Sequence, residues 1–228
     1  MINNLIVPIA ADKAEYSQSM PYLFGLGEDG IMICIKSILG LNIECFHQIY
    51  FTILKKHDEA YFVSESLLMQ CKRLNILNVK IVILEQETQD QVDTVYQTIL
   101  NENINGSIYI KDADSYFESR INTTNGVAIF PIEELELLDP RNKSYVAIDD
   151  MYYITNIIEK SVIGHYISAG GYLFDSSAEF CEYACRLRQY GKLYISHIIY
   201  AMLLDKKMFR PMMVKNYKDR GTKKMTKI

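Results

Sequence analysis

The segment "SIYIKDADSYFESR" (residues 107–120) places two carboxylates beside a lysine where an apolar strand ends. Asp112 and Asp114 are two residues apart, and Lys111 precedes them. Aspartates favour turns, so an ordinary turn is one interpretation. The other is a site for a hard divalent cation such as Mg²⁺, which takes one or two carboxylates plus substrate phosphates. The pattern by itself leaves both interpretations open.

A third aspartate, Asp219, lies in "NYKDRGTKKM" among basic side chains, in what the sequence predicts to be a short turn with Gly221. The five basic residues around it are Lys215, Lys218, Arg220, Lys223 and Lys224. One interpretation is a surface aspartate that relieves repulsion between like charges. The other is a second metal ligand that meets Asp114 across a cleft, with cations around it to hold phosphate oxygens.

Two further features could contact a ligand. Lys160 in "NIIEKS" follows a predicted strand, where a lysine is ordinarily solvated. The Gly170–Gly171 pair predicts either a tight turn or a place where the backbone must approach a ligand closely. The sequence contains no GxSxG, HExxH or P-loop motif, and its four histidines are scattered.

The composition is that of a globular protein of 228 residues, with 49% hydrophobic and 23% charged residues. There is no run of eighteen apolar residues, so we expect no membrane span, and the amino terminus lacks a secretory pattern. The five cysteines form no CxxC pair, which favours free thiols in the cytoplasm over disulfides or zinc.

The net charge of −4 is unevenly distributed. Residues 205–228 carry nine basic and two acidic side chains, a net +7, whereas the rest of the chain carries 15 and 26, a net −11. A basic tail of this kind is compatible with a solvated segment, a nucleic-acid arm or a phosphate-binding role. The acidic body argues against a general nucleic-acid-binding protein.

Strand-like and helix-like patterns alternate over the first 110 residues. Strands are predicted at 4–11, 47–54, 79–84 and 106–110, and helical patterns at 30–41, 58–74 (with Asp58 as N-cap) and 88–102. The third strand is almost entirely apolar, as expected of a strand covered on both faces. This order predicts a Rossmann-like α/β fold, a three-layer sandwich around a mostly parallel mixed sheet. Ligands bind beyond the carboxyl ends of such strands, which is where "KDADSYF" lies.

The second half is predicted to contain shorter, antiparallel strands. These strands fall at 126–132, 144–150, 152–159 and 170–174. A helix is predicted at 175–191, with a capping box from Ser176 to Glu179 and a closing Gly191, and a buried helix at 193–207. Because no repeat or linker divides the chain, we expect one domain spanning residues 1–228.

Taken in order, these segments resemble the nucleotidyltransferases that make activated sugars and other activated phospho-compounds, which share the nucleotide-binding fold of the GT-A glycosyltransferases. The branch that the chain most resembles serves capsule or surface polysaccharide biosynthesis. The matching segments are "IVPIA", "FHQIYFTILKKH", "TQDQVDTVYQTI", "IYIKDADSYF", "NIIEKS", "AGGYLFDSSAEF", "LYISHII" and "YKDRGT".

The resemblance implies a division of roles along the chain. Asp114 and Asp219 match the aspartates that hold Mg²⁺, and Lys160 matches a lysine that contacts the acceptor phosphate. Gly170 and Gly171 match a pair beside the acceptor pocket. The residues assigned to the nucleotide are Ala10, Ala11, Lys13, Gln89, Thr94 and Asp112, the last as a water-mediated or supporting ligand. Residues 1–120 would form a nucleotide-binding half and residues 121–228 an acceptor-binding half with a basic tail.

The loop after the first strand departs from the family pattern. The family's loop is glycine-rich, carries an arginine and ends in Pro-Lys, whereas this chain reads "AADKAEYSQSMPYLF". Ala10, Ala11 and Asp12 stand where glycines are expected, and Tyr22 stands where the lysine is expected. Each Cβ holds the backbone away from a triphosphate, and two cations are missing. Lys13 is the residue that could compensate.

The resemblance implies that a phosphate oxygen of the acceptor attacks the α-phosphorus of a nucleoside triphosphate and pyrophosphate leaves. The partners expected are an NTP and a phosphorylated small molecule in the cytoplasm, without nucleic acid, and a homodimer is compatible with the sequence. Two alternatives stay open. One is a protein of the same fold that binds a nucleotide or nucleotide-sugar without catalysis, and the other is a GT-A glycosyltransferase that uses "DAD" as its metal motif.

Overall fold

The computed structural model describes residues 2–10, 20–121, 125–135 and 142–219. It contains a mixed sheet, a two-stranded ribbon and six α-helices. The strands are β1 (Ile2–Pro8), β2 (Phe46–Leu54), β3 (Val79–Leu84), β4 (Ile108–Lys111), β5 (Ser115–Glu118), β6 (Gly126–Pro131), β7 (Ser144–Ile148), β8 (Ile154–Glu159), β9 (Tyr166–Phe174), β10 (Arg210–Met213) and β11 (Lys215–Asp219). The helices are α1 (Ile33–Lys36), α2 (Lys55–Tyr61), α3 (Val63–Arg73), α4 (Gln91–Glu102), α5 (Ser177–Leu187) and α6 (Ile195–Leu204).

The main sheet has the strand order β10-β6-β9-β4-β1-β2-β3, with β7 paired to β8 and β9. Strands β4, β1, β2 and β3 are mutually parallel, as the alternation of strands and helices predicts. Strand β9 runs antiparallel to both β4 and β6, and β7 and β8 form an antiparallel pair. The predicted mixed α/β fold around a largely parallel sheet is therefore confirmed.

Two apolar cores lie on opposite faces of the sheet. Alternate residues of β1 belong to different cores: Leu5 packs with α1 and α3, and Ile6 packs with α4, α5 and α6. Both side chains are fully buried. Because successive side chains of a strand point to opposite faces, this alternation shows the three-layer arrangement directly.

Three predictions about the first half differ from the structure. The helix predicted at 30–41 shortens to α1, and a turn follows it. A Cβ at Gly40 would lie 2.0 Å from the Phe117 carbonyl oxygen, so the chain there runs directly against β5. The helix predicted from Asp58 begins at Lys55 and is interrupted at Phe62, which has a left-handed backbone with φ 51°. The Asp58 carboxylate instead accepts a hydrogen bond from the Ser64 N–H in the first turn of α3.

The surroundings of strand β3 differ from those that the sequence predicts. It forms the edge of the sheet, and Ile83 is 43% exposed, so its apolar sequence does not reflect cover on both faces. In the second half, the N-cap of α5 is Ser176, as predicted, and its Oγ accepts from the Glu179 N–H. The Glu179 carboxylate pairs with Lys207.

The ribbon formed by β5 and β11 stands apart from the main sheet and brings distant segments together. Its strands are antiparallel, and the register places Asp219 opposite Ser115. The sequence did not reveal this pairing, which joins segments about a hundred residues apart. Within the described ranges, no helix is long and apolar enough to cross a membrane.

The Asp90 carboxylate connects the two halves of the chain. It caps α4 by accepting from the Asp93 N–H at 2.8 Å, and its second oxygen accepts from the Leu193 N–H at 2.8 Å and the Arg188 guanidinium at 3.0 Å. Asp90 is almost fully buried, and a buried carboxylate requires such partners. These bonds fix the start of α4 against the segment that leads into α6.

Gly171 allows the Tyr109 side chain to fit against β9. A Cβ at position 171 would lie 2.2 Å from Tyr109 Oη and 2.7 Å from Phe117 Cζ. We therefore expect Gly171→Ala to lower the free energy of unfolding by about 1–3 kcal/mol through overpacking. Adding Tyr109→Phe should restore part of this loss, because Tyr109 Oη has no hydrogen-bond partner among the described residues. Urea unfolding would measure both changes, and a double variant no more stable than Gly171→Ala would contradict this explanation.

Candidate functional site

The aspartate loop, residues 112–114, joins β4 to β5 at the carboxyl end of β4. Lys111, the last residue of β4, is fully buried and holds this loop in place. Its Nζ donates to the carbonyl oxygens of Asp112 and Ser115 and contacts Ser115 Oγ, each at 2.7 Å. Burial lowers the pKa of Lys111 to about 8, against the opposing influence of Asp112 and Asp114. The loop is therefore organised around a buried amine that uses all of its donors.

Asp112 is held from two further directions. Gln91 Nε2 donates to Asp112 Oδ1 at 2.5 Å, and the Asp112 N–H donates to the Gly170 carbonyl at 2.8 Å. Gly170 has φ +83°, and a Cβ there would lie 2.5 Å from Asp112 Oδ2. Burial, and secondly the negative charge of Asp114, raise the pKa of Asp112. Additional positive charge at this loop would stabilise the ionised carboxylates.

Two cavities meet at the aspartate loop. The β7-side cavity, of about 180 Å³, extends towards the start of β7 and is lined there by Asn142, Lys143 and Ser144. The β1-side cavity, of about 270 Å³, extends to Pro8 and Ile9 at the end of β1. Four residues line both cavities: Gln91, Asp112, Asp114 and Tyr194. Neither volume reaches the roughly 300 Å³ usual for a small-ligand pocket, but the adjoining pair does.

Asp219 approaches this site through the β5–β11 ribbon as the last residue of β11. Gly221, with which the sequence predicts it to form a turn, lies outside the described residues. Opposite residues of an antiparallel pair lie about 5 Å apart, so Asp219 is adjacent to the end of the aspartate loop. Its Oδ2 lies 2.5 Å from Lys143 Nζ, which also donates to Tyr217 Oη at 2.8 Å. Burial opposes the charge on Lys143, but Tyr217 and Asp219 outweigh it and raise the pKa of this lysine.

Carboxylate oxygens are the ligands that Mg²⁺ prefers, so Asp114 and Asp219 have suitable chemistry for it. Asp112 adds a third, partly buried carboxylate to the aspartate loop, within electrostatic range of Asp114. Within the described part of the chain, no three His, Cys, Asp or Glu side chains come close enough together to form a metal site of their own.

Lys160 reaches the site through Tyr194. It directly follows β8 with a left-handed backbone (φ 61°), and its Nζ donates to Tyr194 Oη at 3.0 Å. This bond raises the pKa of Lys160. Lys192 lies on the same tyrosine, 5.8 Å from the ring centroid, and lines the β1-side cavity. Tyr194, which lines both cavities, thus contacts two lysines.

Glu159 adds a carboxylate to the β7-side cavity. Its Oε2 accepts from the hydroxyls of Ser144 and Ser196, the latter at 3.1 Å. These bonds fix a charged acceptor group in the cavity wall, where it can bind a hydroxyl or an amine of a ligand.

The residues that the resemblance assigns to the nucleotide lie in different environments. Ala10 is fully buried beyond β1, and its carbonyl accepts from the Thr88 N–H at 3.5 Å. Gln89 and Thr94 both line the β1-side cavity. Thr94 is fully buried, with its hydroxyl 2.6 Å from Thr88 Oγ1. Ala11 and Lys13 lie outside the described residues.

The glycine pair does not form a turn. Both glycines lie inside β9, which begins at Tyr166 and not at the predicted residue 170. Gly170 lines the β7-side cavity and makes room for Asp112, whereas Gly171 makes room for Tyr109. The close backbone approach that the pair predicts is an approach to the protein's own side chains.

Five residues of this site were not predicted: Gln91, Lys143, Glu159, Lys192 and Tyr194. Gln91 and Glu159 lie close in sequence to Gln89 and Lys160, which the sequence does predict as site residues. Helix phase could have indicated Gln91, because it occupies the first turn of α4 with Thr94 three residues later. Nothing in the sequence around Lys143 indicates that it meets Asp219.

Comparison of the sequence with protein-family models and with curated proteins gives no match. Comparison of the structure with solved structures gives many. A nucleoside-diphosphate-sugar pyrophosphorylase from Vibrio cholerae RC9 is 18% identical with a TM-score of 0.75, and the match covers 96% of each chain. An inositol-1-phosphate CTP transferase from T. maritima is 12% identical with a TM-score of 0.71, covering 95% of this chain and 87% of that one.

A UDP-glucose pyrophosphorylase complexed with UDP-glucose is 13% identical with a TM-score of 0.71, and the match covers 97% of this chain and 94% of that chain. At these identities the similarity concerns the fold. The chain therefore has the α/β fold seen in nucleotidyltransferases of this type, along almost its entire length.

The role of Lys111 in holding the aspartate loop predicts a large effect of its removal. Lys111→Met would leave the oxygens of Asp112 and Ser115 buried without a donor, and we expect a loss of about 3 kcal/mol in the free energy of unfolding. Lys192→Met, at an exposed position of the same site, should change it by less than about 0.5 kcal/mol. Urea unfolding at pH 7 would compare them, and similar stability of the two variants would contradict the role assigned to Lys111.

Proposed function

We propose that this protein is a Mg²⁺-dependent nucleotidyltransferase that joins a nucleoside monophosphate, taken from an NTP, to a phosphorylated small molecule. The observation that carries the proposal is the meeting of two cavities at Asp112 and Asp114, with Asp219 brought beside them. A transfer between two substrates requires two binding spaces that share the reacting centre. The fold similarity to pyrophosphorylases and a CTP transferase supports the same assignment.

In this proposal the β1-side cavity binds the nucleotide and the β7-side cavity binds the acceptor. Gln89 and Lys192 line the nucleotide cavity, and Gln91 lines both this cavity and the acceptor cavity. Lys192 supplies a positive charge to this cavity, and Lys13, from the loop after β1, supplies a second. Together they replace the two cations that the family's loop would provide. This arrangement assigns residues 1–120 mainly to the nucleotide and residues 121–228 mainly to the acceptor.

Asp114 and Asp219 would hold a Mg²⁺ ion, which when bound would neutralise negative charge on the phosphate oxygens. Lys160, hydrogen-bonded to Tyr194, neutralises the acceptor phosphate whose oxygen attacks the α-phosphorus. The bond to pyrophosphate breaks as the new phosphate bond forms. The protein itself contributes position and charge, and no side chain forms a covalent bond with either substrate.

The class of acceptor follows from the β7-side cavity. Its wall carries the Glu159 carboxylate, held by two serine hydroxyls, beside Tyr172 and Tyr194. Such a wall binds hydroxyl or amino groups of a small polar phosphate ester. We place the reaction in the cytoplasm, in capsule or surface polysaccharide biosynthesis, on the sequence resemblance and the five free cysteines. A homodimer is part of the same proposal.

The assay that tests the reaction is pyrophosphate release from each of the four NTPs, with Mg²⁺, against a panel of phosphorylated sugars and amino alcohols. We expect release with one NTP, and a loss of at least about a hundredfold in Asp114→Ala, because electrostatic stabilisation is usually the largest catalytic contribution. Asp150→Ala removes an exposed carboxylate and should retain activity. Donor hydrolysis without pyrophosphate release would favour the glycosyltransferase alternative, and nucleotide binding without turnover the binding protein.

A second prediction concerns the assignment of Lys160 to the acceptor. Lys160→Met should raise the KM for the acceptor by about tenfold, the value of one hydrogen bond to a charged group, with the KM for the NTP nearly unchanged. Steady-state kinetics with each substrate varied in turn would separate the two constants. A rise in the KM for the NTP alone would instead place Lys160 on the nucleotide.

A further inference from the structure

Lys143 is the only cationic side chain among the described residues that line the β7-side cavity, where it faces three carboxylates: Asp112, Asp114 and Glu159. Its side chain is 15% exposed. A phosphorylated ligand that enters this cavity therefore meets one positive charge in its wall. In the structure that charge is engaged elsewhere, because Lys143 Nζ lies 2.5 Å from Asp219 Oδ2.

The ion pair between Lys143 and Asp219 joins two separate parts of the structure. Lys143 lies immediately before β7 and reaches to β11, so the pair connects the cavity wall to the β5–β11 ribbon. Tyr217 orients the amine by accepting a hydrogen bond at 2.8 Å and packs in turn on Phe130, with ring centroids 5.3 Å apart. The amine is thus held at the Asp219 carboxylate.

We propose that Lys143 is a positioning residue that exchanges partners: it pairs with Asp219 in the metal-free protein, and it transfers to the phosphate of the acceptor when a divalent cation takes Asp219. The inference rests on the proposed function, because it requires Asp219 to be a metal ligand. A lysine side chain has a flexible four-carbon stem, so its amine can change partners without movement of the backbone.

Charge balance in the cavity supports the exchange. While Lys143 neutralises Asp219, a dication must compete with an ammonium group for that carboxylate. Once the dication is bound, the ammonium loses its partner in a partly buried place, where an unpaired charge is costly. A phosphate dianion in the β7-side cavity restores the balance. Metal and phosphate should therefore bind with positive cooperativity, which is reciprocal by linkage.

The experiment titrates the full-length protein with Mn²⁺ alone and with Mn²⁺ plus inorganic phosphate, and follows free Mn²⁺ by electron paramagnetic resonance. In the wild-type protein we expect phosphate to tighten Mn²⁺ binding by about fivefold or more, within the usual range of such coupling. In Lys143→Met, Mn²⁺ alone should bind about tenfold more tightly, because the competing ammonium group is gone, and phosphate should no longer change the affinity.

Three variants make the result specific. Lys218→Met removes a lysine charge from the residue next to Asp219 in β11. Lys218 lies opposite Tyr116, on the other side of the ribbon from Asp219, so this variant should resemble the wild type. Lys143→Arg keeps the charge and should retain the coupling, and thermal unfolding would verify that each variant is folded. Asp219→Asn should lose most of its affinity for Mn²⁺.

The outcomes separate the exchange from the metal site. If the wild-type protein binds Mn²⁺ and Asp219→Asn does not, but Lys143→Met retains wild-type affinity and coupling, the exchange is overturned while the metal site stands. If Asp219→Asn binds Mn²⁺ like the wild type, or if the wild type binds none, the metal site fails and the exchange fails with it. Tighter Mn²⁺ binding and lost coupling in Lys143→Met alone would establish the exchange.

Discussion

The proximity of two carboxylates, Asp112 and Asp114, at the end of a central strand is the constraint on which the rest of the site depends. A partly buried carboxylate is stabilised by hydrogen bonds or opposite charge, and two adjacent carboxylates require more of this stabilisation. The chain meets this requirement with a buried lysine beneath the loop, an amide from α4 and a glycine whose missing side chain lets β9 come close. Substitution of any of these partners should therefore alter the shape and charge of both cavities.

The site joins two halves of the molecule whose contributions differ in kind. The first half supplies parallel strands whose carboxyl ends meet at one edge, together with the N-terminal turn of α4. The second half supplies antiparallel strands that carry the wall of the β7-side cavity. Asp90 fastens these parts together, because its carboxylate caps α4 and also accepts from the Leu193 N–H before α6. A site shared by two cavities requires this kind of rigid connection.

The site combines negative and positive side chains. The described walls carry carboxylates from Asp112, Asp114 and Glu159, and cations from Lys143 and Lys192. A nucleotide with a bound dication has this mixed character. The cations of the described walls come from elements other than β1. Lys192, next to Tyr194, is one of these.

The sequence by itself determined the α/β architecture, because apolar periodicity and strand–helix alternation are local properties. It also placed Asp112 and Asp114 at a strand end, since the apolar strand segment before them ends at Lys111. Only the tertiary structure decided that Asp219 lies opposite Ser115, that Lys143 holds Asp219, and that Gln91 reaches Asp112. These contacts join residues separated by roughly 20 to 100 positions and depend on strand register and helix packing, which neighbouring residues in the sequence do not encode.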